Sequence, residues 1–112
     1  MKRVDDEFKN RVFAFVAQIP KGRLMTYGQL AALAGAPWAA WEVGQIAHRG
    51  PVDLPWQRVV NKDGGLARGY PGGMAGHKRD LETEGVLVDE DYNVRIGELL
   101  WRPEAEGQSS LL

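Results

Sequence analysis

Thr26-Tyr27-Gly28-Gln29-Leu30-Ala31-Ala32-Leu33-Ala34-Gly35-Ala36-Pro37-Trp38-Ala39-Ala40-Trp41-Glu42-Val43-Gly44 is the stretch that decides the fold. Thr26 followed three residues later by Gln29 forms a capping box: the hydroxyl serves the first free N–H groups of a helix and the amide reaches back. The helix so opened ends at Gly35, which tolerates the left-handed backbone of a C-cap. Ala36-Pro37 then begins a second helix, because proline costs nothing where the N–H has no partner anyway. It runs to about Arg49, where Gly50-Pro51 breaks it. Two short helices joined by a tight glycine turn read as a helix-turn-helix.

Working outward, Phe8, Val12, Phe15, Val16 and Ile19 form one stripe of an amphipathic helix that Asp5 or Asp6 caps and Pro20 ends. On the other side, residues 57–61 read as a strand, 62–65 as a hairpin turn and Leu66-Ala67 as the return. That hairpin resembles the wing of a winged helix. Residues 69–76 hold four glycines and a proline and read as a loop. A helix from Met74 or Ala75 to Glu84 follows, with Gly85 as its C-cap. Residues 86–101 suggest one or two terminal strands. The fold class is therefore mainly α with a small β element, a winged-helix-like domain over 1–103, with 104–112 as a flexible tail.

At 112 residues and 44% hydrophobic, the chain has material for one modest core. It has no cysteine, which excludes disulfides, cysteine metal sites and a thiol nucleophile. No apolar run has the length of a membrane span, and the N-terminus turns acidic where a signal peptide needs apolar residues, so a cytoplasmic location is expected. The net charge of -1 hides an uneven distribution. Between Pro20 and Arg79 eight basic residues face three acidic ones, while the flanks hold six and twelve. A basic middle suits a nucleic-acid face, and a mixed solvated surface is the alternative.

Catalytic and cofactor signatures are wanting. His48 and His77 have no metal-ligating company, and His77 near Asp80 and Glu84 reads as the polar face of a helix. The glycines of 69–73 match neither a P-loop nor a dinucleotide fingerprint. No catalytic residue, metal or cofactor is expected. In Pro55-Trp56-Gln57-Arg58-Val59, Trp56 offers only a ring N–H and Gln57 an amide that does not titrate near neutral pH.

That motif resembles the Pro-Cys-His-Arg-Val of the O6-alkylguanine-DNA alkyltransferases, with both nucleophile and base replaced. The resemblance extends over residues 8–84, through Ile19-Pro20-Lys21-Gly22, Thr26-Tyr27-Gly28-Gln29-Leu30-Ala31, Ala39-Ala40, Val43-Gly44, Val59-Val60, Asp63-Gly64-Gly65, Gly72-Gly73 and Glu84-Gly85. With tryptophan where cysteine should stand, the chain is similar to the alkyltransferase-like proteins, which bind alkylated guanine in DNA without repairing it.

The resemblance implies a partner, duplex DNA carrying O6-alkylguanine, and a second one, the damage-recognition proteins of nucleotide-excision repair. It implies a monomer with no membrane association. Thr26, Tyr27, Ala39, Ala40, Trp41 and Gly44 would meet DNA. The second helix enters the minor groove, where small side chains allow close approach, and Tyr27 crowds the phosphate of the flipped nucleotide. Trp41 stands where the family places an arginine that fills the vacated stack. An indole there could wedge between bases or turn inward, and Ala39, Ala40 and Gly44 could instead pack against another helix. Trp56, Tyr70 and Arg68, with Val59 behind, would form the lesion pocket, where an aromatic and a guanidinium sandwich the base. The alternative for Trp56 is an ordinary core tryptophan. Arg58 would brace the wing and helix pair, Gln57 would support the site, and Glu84, at the place of the carboxylate that orients the family's histidine, would cap or pair locally. Two other functions stay open: a DNA-binding regulator that has the helix-turn-helix without a lesion pocket, and a folded interaction module that binds no DNA.

Overall fold

A computed structural model describes residues 5–103; the tail expected over 104–112 lies outside them. Helix α1 (Asp6–Gln18) begins where Asp5 accepts a hydrogen bond from the N–H of Phe8 and ends ahead of Pro20. Strand β1 (Met25–Thr26) leads directly into α2 (Tyr27–Leu33), and both halves of the Thr26–Gln29 capping box are formed. Gly35, at φ +103°, turns the chain after α2.

Helix α3 (Ala40–Arg49) starts later than the expected Ala36-Pro37. Proline instead occupies the second position of a turn closed by the N–H of Ala39 on the carbonyl of Ala36, the position its fixed φ suits best. With α2 and α3 packed together and joined by this turn, the helix-turn-helix is present.

The expected strand over 57–61 is shorter. Trp56–Arg58 is one turn of 3-10 helix, and only Val59–Val60 is extended, as β2. Strand β2 does not pair with the Leu66-Ala67 return but lies parallel to β1, Met25 opposite Val59 and Thr26 opposite Val60. The turn after Asn61 does form, closed by Asn61 N–H on the Gly65 carbonyl; within it the Gly64 carbonyl accepts from Val94 N–H, and beyond it Leu66 N–H donates to the Tyr92 carbonyl. Helix α4 (Gly73–Thr83) follows, with Gly85 at φ +87° behind it.

The terminal strands expected over 86–101 are replaced by single bridges, Gly65 to Asn93 and Leu24 to Leu100, around a short helix α5 (Ile96–Leu99). Asp89 accounts for part of this. Its carboxylate takes the N–H groups of Asp91 and Asn93, a local turn that competes with a ladder.

The two strands divide the core. Successive strand side chains point to opposite faces. Met25 and Val59 thus join Phe8, Val12, Val16, Leu30 and Val43 beneath α1–α3, while Leu24 and Val60 join Leu66, Leu81, Val86 and Val94 beneath α4. Burying a side chain of this size contributes about 1.5–3 kcal/mol, so even a two-residue ladder is held firmly from both sides.

Candidate nucleic-acid interface

Alternate faces of α3 have different fates. Val43 and Ile46 are buried, whereas Trp41, Gly44, Gln45 and His48, spaced i, i+3, i+4 and i+7, form the outward stripe. Trp41 is 72% exposed, which rules out its inward alternative, and Trp38 in the preceding turn is 57% exposed. A Cβ at Gly44 would meet nothing within 4 Å, so the middle of the stripe is flat and open. Ala39 is different. As the N-cap of α3 it is fully buried in the core; its methyl group cannot meet DNA, and the expectation that it would is corrected. Ala40 is half-buried beside it. Gln45 and His48 escaped the sequence reading, although their spacing from Trp41 would have found them.

Tyr27 opens α2, half-buried, and burial pushes its hydroxyl up to about 12, so it stays protonated. Thr26 beside it spends its hydroxyl on the capping box.

Trp56 lies where α3 ends. Its indole N–H donates to the Pro51 carbonyl at 2.9 Å, its ring meets Phe13 edge-on at 6.1 Å, and a Cβ at Gly50 would fall 2.8 Å from its ring carbon. Gly50 must therefore stay glycine for the indole to lie there. The ring is half-buried rather than enclosed. Val59 is wholly buried in β2, so it backs the site rather than lining it.

The loop between Leu66 and α4 carries Arg68, exposed, and Tyr70, half-buried. It is bracketed by two histidines. A Cβ at Gly69 would lie 3.5 Å from Nδ1 of His48 on α3. On the other side Tyr70 stacks on His77 of α4, ring centroids 4.5 Å apart at 12°, and its hydroxyl donates to Asp80 at 2.6 Å. Burial and that carboxylate raise the Tyr70 hydroxyl far above its ordinary value. His77 is fully buried, contrary to its reading as helix surface. It lies four residues before Leu81, on the inward face of α4, and a ring there must have partners: Ala67 N–H donates to Nδ1 at 3.0 Å, and Nε2 faces the Gln57 carbonyl at 2.9 Å.

Gln57 and Arg58 converge on Glu84. Gln57 Nε2 donates to Oε2 at 2.7 Å, Arg58 Nε to Oε1 at 3.0 Å, and Gly22 N–H to Oε1 at 3.2 Å. Glu84 is thus not a local cap; its three partners lie on two segments distant in sequence, the 3-10 turn and the turn after α1. Burial alone would raise its carboxyl, but the bonds from Arg58, Gln57 and Gly22 outweigh burial and hold it below the usual range. Adjacent strand residues point apart, so only the 3-10 turn lets 57 and 58 reach one carboxylate. Arg58 also donates to the Ile19 carbonyl at 2.7 Å. It braces α4 to the end of α1, not the wing.

Residues 7–86 match the family described as 6-O-methylguanine DNA methyltransferase, DNA binding domain. Alkyltransferase-like protein 1 of Schizosaccharomyces pombe is 36% identical over 105 residues, covering 88% of this chain and 97% of that protein. The chain belongs to the alkyltransferase-like family. The DNA base-flipping protein of Vibrio parahaemolyticus, another relative, is 37% identical over 101 residues, 88% of this chain and 99% of its own length. The fold agrees with the crystal structure of the S. pombe alkyltransferase-like protein in complex with damaged DNA containing O6-carboxymethylguanine: TM-score 0.80 at 34% identity, across 92% of this chain and all of that one.

Proposed function

We propose that this protein is a non-enzymatic sensor of DNA damage, which binds O6-alkylguanine in duplex DNA through the minor groove by turning the nucleotide out of the helix. The observation that carries it is the agreement in fold, over nearly the whole chain, with a relative solved on O6-carboxymethylguanine DNA. Trp56 and Gln57 stand where alkyl transfer would need a thiolate and a base, and neither can supply one. The protein therefore reads the lesion and leaves it in place.

Each part of the interface has its task. The stripe of α3 lies along the groove, and Gly44 allows close approach to the sugar-phosphate walls. Tyr27 crowds the phosphate of the target nucleotide. Trp41 fills the vacated stack; it stands nine positions before Gly50, roughly 14 Å at 1.5 Å per residue, enough to keep the plug and the pocket apart. Trp56, Arg68 and the free face of Tyr70 receive the extruded base, with stacking worth roughly 1–3 kcal/mol. Extrusion costs a few kcal/mol and less at a damaged pair. That difference gives selectivity without chemistry.

The protein acts as a monomer on duplex DNA, and the complex marks the lesion for nucleotide-excision repair proteins. Equilibrium binding to matched duplexes with guanine or O6-methylguanine tests the reading: tighter binding to the lesion is expected. Equal binding would leave a helix-turn-helix protein without a lesion pocket, and no binding would leave an interaction module.

A further inference from the structure

The ring of His77 joins two parts of the site that the sequence keeps apart. Ala67 N–H donates to Nδ1, so the ring proton is on Nε2 and donates to the carbonyl of Gln57, the residue next to Trp56. One face of the ring is covered by Tyr70, whose hydroxyl is anchored on Asp80. Both edges and one face are occupied, and no part of the residue reaches solvent. We propose that His77 is the positioning residue of the lesion pocket: its neutral ring ties the loop carrying Arg68 and Tyr70 to the backbone beside Trp56, and a second proton on the ring releases that loop.

This rests on the lesion-binding reading above and deepens it. A proton added at Nδ1 would point at the N–H of Ala67, donor against donor, and one of the two bonds holding the loop must break. Burial lowers the histidine below its ordinary value, against the Gln57 carbonyl and Asp80, which favour the proton. Among the described residues, the charge that acts on it is that of Asp80. Asp80 is engaged by Tyr70 and Arg79, and Glu84, further along α4, by Gln57 and Arg58. The neutral ring therefore prevails near neutral pH, and the loop loosens only as pH falls below the ordinary histidine value.

The test measures affinity of the full chain for duplexes with O6-methylguanine or guanine at about pH 7.5 and about pH 5, either side of the ordinary histidine value. The expected result is a lesion preference that shrinks in acid, while guanine duplex binding changes less. His77→Gln should keep the preference and lose its response to pH, because an amide can accept from Ala67 and donate to Gln57 without titrating. His77→Leu should lower the preference roughly tenfold, the size of two net hydrogen bonds, with guanine duplex binding nearly unchanged. Thermal unfolding of each variant separates positioning from stability. A preference that survives both acid and His77→Leu, with only the melting temperature lowered, overturns the proposal alone. Absence of any preference at either pH overturns the lesion reading and this inference with it. Should His77→Leu fail to fold, a pH response in His77→Gln equal to that of the unaltered protein still overturns it.

Discussion

Gln57 donates to Glu84 at 2.7 Å, on the carboxylate oxygen that Arg58 also contacts. The same carboxylate thus holds an amide and a guanidinium from two successive residues, and neither partner gives up or takes a proton near neutral pH. Glu84 has become part of what holds the site together.

Glu84→Ala should therefore destabilise the fold by about 3 kcal/mol, because it strips a mostly buried guanidinium of its partner. The carboxyl is held below its ordinary value of 4.5 in the folded chain. Its contribution is complete above that value and is lost as pH falls through the folded one. Urea unfolding at neutral and acid pH should show the unaltered protein losing stability in acid and Glu84→Ala losing less.

Incubation with methylated DNA should leave both lesion and protein mass unchanged by mass spectrometry. Trp56→Cys alone should remain inactive towards transfer, since Gln57 takes no proton. Adding Gln57→His would place a base against Glu84 and should allow slow transfer. An alkylated adduct on the unaltered protein would end the sensor reading.

Arg68→Ala and Tyr70→Ala should each reduce preference for the lesion more than they reduce binding to guanine duplex. Equal losses for Arg68→Ala, with a shallower salt dependence, would make it a plain phosphate contact. Tyr27→Ala should weaken lesion binding by impairing extrusion.

Trp41→Ala should leave the melting temperature nearly unchanged, because the ring is exposed and surface substitutions fall within about 0.5 kcal/mol. It should nonetheless weaken DNA binding, since the stack goes unfilled. Trp41→Arg should bind at least as tightly, adding a charge near phosphates. Affinity indifferent to both changes would remove Trp41 from the interface.

What the sequence made legible was local. The stripe and cap of α1, the Thr26–Gln29 box and the turn at Gly85 depend on neighbours within four residues, and each formed as read. Pairings across the chain were hidden: nothing in two-residue strands announces that β1 lies beside β2, and Asp89 turned an apolar alternation into a loop. His77 was misread for the same reason. Among Lys78, Arg79 and Asp80 it looks solvated, yet its spacing to Leu81 and Glu84 puts all three on the inward face of α4. Trp56, Arg68 and Tyr70 stand out in the sequence by residue type, whereas the contacts of His77 with the Gln57 carbonyl and the Tyr70 ring do not.

Leu24 N–H bonds to the Leu99 carbonyl, Trp101 N–H returns a bond to Leu24, and the capping residue Gln29 donates to the Trp101 carbonyl. These partners are more than seventy positions apart, so their contacts carry a heavy loop-closure cost and form late. During synthesis α2 and α3 emerge first, and Leu24 stays uncovered until residue 101 has also left the ribosome. A nascent chain stalled before that point would display the DNA-reading elements without their clasp. Ribosome-bound chains halted at successive lengths should gain protease resistance in one late step rather than gradually.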